Sequence, residues 1–153
     1  MDTDDRYRIE VLKTKDGIDI PALYKNASER DMRPYLEVQA AMKRIYEENP
    51  GYWPHGLSIA GHDAVYAVRE AGTEKVAGFV GWQERVENGR RIGSYSIGIL
   101  PEYRQRGFAK EAVAKVLQLK AASVDEVRAY VMPGNSPSEG LAGSLGLNVV
   151  NDF

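Results

Sequence analysis

The sequence of 153 residues contains no cysteine and only two histidines. The lack of cysteine excludes disulfides, thiolate zinc sites and cysteine nucleophiles, and the composition predicts no metal site. There is also no basic excess, because 20 Lys and Arg stand against 22 Asp and Glu, for a formal net charge of -2. This balance argues against a nucleic-acid partner. No stretch approaches the roughly 20 apolar residues of a membrane span, and the acidic start lacks the apolar core of a signal peptide. We therefore expect a cytoplasmic protein with no membrane partner.

What is present fits a single domain over residues 1–153, either as the whole protein or as part of a longer chain. Apolar residues make up 43% of the sequence and charged residues 27%, which is typical of a folded globular domain. A chain of this length buries roughly 70% of the surface that its unfolded form exposes, so it needs no disulfide or metal to fold.

The periodicity of apolar residues predicts an α/β protein with a mixed sheet. Strands are predicted at 7–12, 64–68, 76–82, 92–99, 127–131 and from 147 onward. Helices are predicted from Ser28 to Glu48, at 108–120 and, with Ser136 as N-cap, from Ser136 to about Leu145. The three central strands are joined by short turns and predict an antiparallel meander. The strand at 127–131 follows a crossover helix, so we expect it to run parallel to the strand before that helix.

A short basic turn opens the helix at Phe108. The first N–H groups of a helix have no intrahelical partner and lie at the positive end of its dipole, so they favour an anion such as a pyrophosphate. Gly107 lets a phosphate approach the backbone, and Arg104, Arg106 and Lys110 add positive charge. The glycine spacings of the Walker loop and of the dinucleotide fold are both absent. The competing interpretation is a solvated basic turn with a loop glycine.

The six residues Arg104-Gln105-Arg106-Gly107-Phe108-Ala109 match every fixed position of the pattern [Q/R]-x-x-G-x-[G/A]. Here the sequence resembles the GNAT superfamily of acyl-CoA-dependent N-acyltransferases, which carry this pattern at the start of their central helix. Asn135-x-x-Ser138-x-x-Leu141 is similar to a second family segment, and the resemblance spans roughly residues 64–147. It implies a GNAT-like fold in which the meander is followed by a crossover helix and a parallel strand.

The resemblance also implies a function, the transfer of an acetyl group from acetyl-CoA to a primary amine of a small molecule or protein. It places the thioester oxygen on a backbone N–H of the fourth strand, within residues 97–99, with Gly98 permitting a bulge that splays this strand from the next. The residues that it assigns to the cosubstrate are Ile97, Gly98, Ile99, Arg104, Gln105, Arg106, Gly107, Phe108, Ala109, Lys110, Asn135 and Ser138.

Acyl transfer to an amine needs a base for the amine and a proton for the leaving thiolate. Glu84 is one candidate base, and Ser94 or Ser96, acting through an ordered water, are others, although a charged residue near a hairpin is more often solvated. Many family members carry a Tyr near the thioester sulfur where this chain has Ala142, so Ser138 or water is left as the proton donor. A lone loop histidine is usually solvated, and we assign no role to His55 or His62.

The end of the sequence departs from the family, whose members usually finish with two further strands, whereas only residues 147–153 remain here. Either a partner chain completes the sheet, giving a homodimer or larger assembly through the terminal strand, or the chain belongs to a longer protein. Two alternative functions stay open beside the acetyltransferase: an inactive acyl-CoA-binding domain and an assembly scaffold. The sequence does not identify the acceptor.

Overall fold

The computed structural model describes residues 7–13, 29–53, 56–59, 61–104, 107–132 and 135–151. Within them, six strands form one mixed sheet whose spatial order is the order along the chain. The elements are β1 (Tyr7–Lys13), α1 (Glu29–Glu48), β2 (Ala64–Glu70), β3 (Val76–Glu87), β4 (Arg90–Ile99), α2 (Phe108–Lys120), β5 (Glu126–Tyr130), α3 (Ser136–Ser144) and β6 (Asn148–Val150). None of the helices in these ranges is long and apolar enough to cross a membrane.

Strands β1 to β4 form the predicted antiparallel meander. The longest pairing joins β3 and β4, which stay in one register from Gly78 opposite Ile99 to Glu87 opposite Arg90. Their hairpin turns at Asn88 and Gly89, both at positive φ (53° and 77°). Two successive residues of this kind give a turn whose twist matches that of the strands. The local sequence therefore fixes the register of this hairpin.

The last three strands run parallel to one another, as the crossover helix predicted for β4 and β5. The β4–β5 pairing is short and ends at Ser94 opposite Arg128, although β4 continues to Ile99 and β5 to Tyr130. Strand β6 pairs with β5 from Arg128 opposite Asn148 onward. The sheet is thus split between β4 and β5 beyond Ser94.

Helix α1 covers one face of the sheet, here called the α1 face. Its buried residues Val38, Met42 and Ile45 follow the three- and four-residue spacing of an apolar helix stripe. A Cβ on Gly98 would lie 2.7 Å from the Phe79 ring and 3.0 Å from Ile45. The prediction of a bulge at Gly98 is wrong, because the register there is continuous. The glycine instead makes room for the helix.

Helices α2 and α3 cover the opposite face, here called the α3 face. The buried side of α2 carries Ala112, Val113 and Val116. On α3, Ala142 is fully buried and packs in a small cluster with Ala129 and Val131. Burial of these apolar side chains holds both crossover helices against the sheet.

The N-terminus of α3 differs from the sequence prediction by one residue. Ser136 was the expected N-cap, but the cap is Asn135, whose side-chain oxygen accepts a bond from the Ser138 N–H at 3.4 Å. Asn is as good an N-cap as Ser, so the local sequence permitted both. Gly146 follows the helix at a φ of 70°, as predicted. The predicted start of the first long helix, Ser28, lies outside the described residues.

Candidate functional site

The split between β4 and β5 exposes the edge of β4. The carbonyl of Arg91 faces β5, where it accepts from the Asp125 N–H at 2.8 Å, whereas the Leu100 N–H faces β3 and donates to Ala77 at 2.8 Å. Backbone groups of successive strand residues point to alternate sides. The N–H groups of Ile97 and Ile99 therefore point toward β5, at a level where β5 no longer pairs with β4.

This alternation separates the three residues that were assigned to the thioester oxygen. The Gly98 N–H lies on the β3 side, inside the continuous ladder. The carbonyl of Ile99 accepts from the Arg104 side chain at 2.9 Å, so the end of β4 is held by the turn that follows. Of the three N–H groups, only that of Ile97 both lies beside the cleft and points into the split.

A cleft of about 570 Å³ occupies the split and reaches both faces of the sheet. On the α1 face it is lined by Trp53, Ser58, His62 and Ser96, and on the α3 face by Tyr95, Asn135 and Ser138. A ligand in the cleft would pass the open edge of β4 between these two groups. The open edge of β4 is thus accessible from both faces of the sheet.

His62 and Ser96 form a hydrogen-bonded pair on the α1 face. The ring of His62 is only 7% exposed, and its Nε2 lies 3.2 Å from the Ser96 Oγ. Its Nδ1 lies 2.8 Å from the carbonyl oxygen of Ser58. A carbonyl can only accept, so Nδ1 carries the proton, and in the neutral ring Nε2 is left as an acceptor for the Ser96 hydroxyl.

The space for this imidazole is provided by Gly81. It is paired with Ser96 across the β3–β4 ladder, and a Cβ at this position would come within 2.3 Å of the His62 ring. The sequence suggests no role for His62, since a lone loop histidine is usually solvated. The 34 positions between His62 and Ser96 also leave no local pattern that links them. The available signal was indirect: a glycine in the middle of an apolar strand, which indicates close approach of another group.

Glu84, a candidate base, lies on the other side of the sheet. Strand side chains alternate between faces, so Glu84 lies on the face opposite to Gly81 and His62. Its carboxylate accepts from the Trp82 indole at 2.9 Å and pairs with Arg91 at 3.3 Å. Ser123 also donates to it, at 3.3 Å. Through these contacts Glu84 on β3 connects to β4 and to the segment after α2.

The basic turn before α2 is only partly described, since Gln105 and Arg106 lie outside the described residues. Gly107 has a φ of 79° and directly precedes the helix. The buried ring of Phe108 stacks on Tyr103 at 6.3 Å between centroids, and this contact anchors the start of the helix. Ala109 and Lys110 follow in the first turn, with Lys110 exposed.

The Arg104 side chain turns back toward the protein. Its Nε donates to the Ile99 carbonyl at 2.9 Å, and its Nη1 bonds Glu48 at the end of α1 at 2.6 Å. The guanidinium therefore ties the turn to β4 and α1. These contacts explain the orientation of the Arg104 side chain without a bound phosphate.

Two residues that the sequence analysis treated together, Ser138 and Ala142, occupy different environments. Ser138 lines the cleft beside Asn135, whereas Ala142 is fully buried against Ala129 and Val131 and lies outside the cleft lining. The position of the family's usual Tyr is therefore closed in this chain. A larger side chain at position 142 would overpack this cluster.

A different phenol borders the cleft on the α3 face. Tyr95 packs against the cluster that contains Ala142, and burial raises the pKa of its hydroxyl to about 12, because desolvation penalises the phenolate. Tyr130 lies beyond it, where the Arg85 guanidinium sits 5.1 Å above its ring and also donates to its hydroxyl. The Tyr95 phenol therefore stays a neutral donor at neutral pH.

Comparisons with known proteins bear on the fold and the family of this chain. A comparison with curated protein sequences gives no match. Among solved structures, the ribosomal-protein-S5-alanine acetyltransferase of Vibrio fischeri superposes with a TM-score of 0.64 at 14% identity, covering 92% of this chain and 79% of that one. An acetyltransferase of Trypanosoma brucei gives 0.60 at 12% identity, with 96% of both chains covered.

A third similar structure is an aminoglycoside acetyltransferase from an uncultured soil metagenomic sample, with a TM-score of 0.62 at 12% identity over 99% of this chain and 97% of that one. At such identities these likenesses establish the fold alone. The family comparison goes further, because the acetyltransferase (GNAT) domain matches residues 8–148. The chain therefore belongs to the GNAT family of acetyltransferases.

Proposed function

We propose that this protein is an N-acetyltransferase that moves an acetyl group from acetyl-CoA to a primary amine. The observation that carries the proposal is the split of the sheet after Ser94, which turns the Ile97 N–H into the cleft. A backbone donor aimed at a developing oxyanion is a major source of stabilisation in acyl transfer. We assign the Ile97 N–H to the thioester oxygen, in place of the three-residue stretch 97–99.

The turn before α2 fits a pyrophosphate. Gly107 holds a left-handed conformation at the helix start, and the N–H groups of the first helical turn are directed out of the helix end. We propose that the backbone from Gln105 to Ala109 binds the pyrophosphate, with Arg106 and Lys110 adding charge at its edge. Arg104 supports this turn through Glu48 and the Ile99 carbonyl.

We propose that the arm of acetyl-CoA between the pyrophosphate and the thioester lies along the α3 face. This face connects the turn at Gly107 with the cleft by way of Asn135 and Ser138, which both line the cleft. Asn135 also caps α3, so its amide is held at the cleft edge. We propose that Asn135 donates to the arm and that the Ser138 hydroxyl donates to the departing sulfur.

The acceptor amine would enter from the α1 face. This side of the cleft carries Tyr52 and Trp53, and aromatic faces attract cations such as protonated amines. The similar structures include an acetyltransferase of a protein alanine and one of aminoglycosides. We therefore propose an amine of a protein or of a small molecule as the acceptor class.

The test combines ligand binding with turnover. Isothermal calorimetry should show acetyl-CoA binding to the wild type, and a ligand at 100 times its Kd should stabilise the fold by about 2.7 kcal/mol in a thermal-shift titration. A CoA-release assay over peptides with free N-termini, polyamines, aminoglycosides and lysine peptides should then identify an acceptor.

A substitution at the turn tests the site itself. Gly107→Val should abolish acetyl-CoA binding, because a β-branched residue resists a φ of 79° and crowds the phosphate position. Gly72→Val is the matched control, since Gly72 also has a positive φ of 92° and its Cβ would meet open space. No binding of acetyl-CoA by the wild type at millimolar ligand would refute the proposed function. Binding without turnover on any amine would favour an inactive acyl-CoA-binding domain.

A further inference from the structure

We propose that Ser96 and His62 together remove the proton from the attacking amine, with Ser96 touching the amine and His62 accepting the proton through it. The proposal rests on the acetyltransferase function above and adds the base that the sequence did not identify. The observation that supports this proposal is the contact of 3.2 Å between the His62 Nε2 and the Ser96 Oγ at the wall of the cleft.

The pair lies where an acceptor would approach. Ser96 directly precedes Ile97, whose N–H points into the split, so the hydroxyl and the oxyanion donor are adjacent on one strand. The Ser96 side chain is on the α1 face, because it contacts His62 above Gly81. An amine that enters past Trp53 and Ser58 would thus meet the hydroxyl before it reaches the carbonyl carbon.

The protonation state suits a base. The Ser58 carbonyl holds the Nδ1 proton, so the Nε2 lone pair is directed at Ser96. When Nε2 takes a proton, the resulting imidazolium keeps its bond to the same carbonyl, which stabilises the positive charge. Edge-on contact with the Phe79 ring, 6.4 Å between centroids, fixes the orientation of the imidazole. The imidazole is thus positioned before any substrate arrives.

The proton balance of the step is simple for an acceptor that is bound as the neutral amine. The nitrogen attacks the thioester carbon, a C–N bond forms and the C–S bond breaks. The amine proton passes to the Ser96 oxygen while the hydroxyl proton of Ser96 passes to the His62 Nε2. The imidazolium then releases a proton to water, and the thiolate takes one from the Ser138 hydroxyl, which regains a proton from water. Amide and thiol result, with no net change in protons.

The other charged residues that line the cleft, Asp63, Glu84 and Arg85, are committed to contacts. Asp63 accepts from the Glu84 N–H at 2.7 Å, and the carboxylate of Glu84 lies on the opposite face with Trp82 and Arg91. Arg85 pairs with Glu87 and donates to the Tyr130 hydroxyl. Besides His62, the remaining titratable residues that line the cleft are Tyr52, Tyr95 and Tyr130. Of these groups, the imidazole is the one whose ordinary pKa lies near neutrality.

The test compares the wild type with His62→Gln and Ser96→Ala, using acetyl-CoA and the best amine of the panel. Gln keeps a polar group near Ser96 but takes up no proton. Each variant should bind acetyl-CoA with the wild-type Kd in calorimetry, while kcat falls by about 10²–10⁴-fold. The rising limb of the kcat/KM profile between pH 5 and 8 should disappear in His62→Gln. His55→Gln, which removes the chain's other histidine, should retain that limb.

Two further measurements guard against a misfolded variant. Circular dichroism and the melting temperature should show both variants folded, and added imidazole should restore part of the activity of His62→Ala. A His62→Gln protein that keeps the wild-type kcat and pH limb would overturn the proposal and leave the acetyltransferase function intact. A wild type that binds acetyl-CoA but acetylates no amine would overturn it together with that function.

Discussion

The substitution Gly81→Ala tests the His62 site through packing alone. Gly81 is buried in β3, and a Cβ there would lie 2.3 Å from the His62 Cδ2 and 2.5 Å from its Nε2. Real carbon contacts do not approach this closely, so the imidazole must move. Movement would break the ring's bonds to Ser58 and Ser96. The methyl group thus acts on His62 without altering any polar group.

The magnitude follows from two independent routes. Overpacking of a well-packed interior costs about 1–3 kcal/mol, and two lost hydrogen bonds at about 0.5–1.5 kcal/mol each give a similar sum. For a domain of this size each kcal/mol lowers Tm by about 2–4 °C, so Gly81→Ala should melt about 2–12 °C below the wild type. Its kcat should fall as well, while its affinity for acetyl-CoA should stay near that of the wild type, because the nearest atoms to a Cβ on Gly81 belong to His62 and not to the turn at Gly107.

The assay is a thermal melt followed by CoA-release kinetics and acetyl-CoA calorimetry. Gly143→Ala is the matched control, since Gly143 lies exposed in α3 and its Cβ would meet open space. Alanine in a helix is about 0.5–1 kcal/mol better than glycine, so this control should melt at or slightly above the wild type. A Gly81→Ala protein with unchanged Tm and unchanged kcat would refute the packing described here.

Ala142→Tyr should lower Tm by overpacking the buried cluster on α3 and should leave turnover at or below the wild-type value; a folded variant with faster CoA release would restore the missing-phenol argument. Tyr95 has a pKa raised to about 12, so the native state holds its proton between pH 10 and 12 after the unfolded state has lost it. Stability should therefore fall with pH in this window, and Tyr95→Phe should flatten that fall by at most about 1 kcal/mol per pH unit in urea melts at pH 8 to 11. Arg104→Gln should weaken acetyl-CoA binding only modestly and with little dependence on salt, because its guanidinium is bound to Glu48; a strong loss at low salt that disappears at high salt would place this charge on the phosphate instead.

Local sequence was enough for most of the architecture. Alternating and helical apolar patterns located the strands and helices, because each element buries one side, so its apolar residues recur every two positions in a strand and every three or four in a helix. Asn88 and Gly89 set the central hairpin through backbone conformations that few other residues accept. The motif from Arg104 to Ala109 indicated the family, since a short phosphate-binding turn is built from consecutive residues.

Interactions between distant segments were decided only by the tertiary structure. Gly98 was interpreted as a bulge, although it is the place where α1 crosses β4. Glu84 and Ser96 were both candidates for the base, and the pleat of the sheet placed them on opposite faces, Glu84 with Trp82 and Ser96 with His62.

The His62–Ser96 pair shows the limit most clearly. Its members are 34 positions apart, and their contact depends on the β3–β4 register, on the glycine opposite Ser96 and on the turn that brings the Ser58 carbonyl to the ring. The sequence by itself determined the central meander, the parallel direction of β5 and the turn at Gly107, because these depend on neighbours along the chain. The chemistry inside the split was decided by the folded sheet. Strand pairing sets the face on which each side chain lies, and the separation of β4 from β5 exposes the backbone groups at the edge of β4.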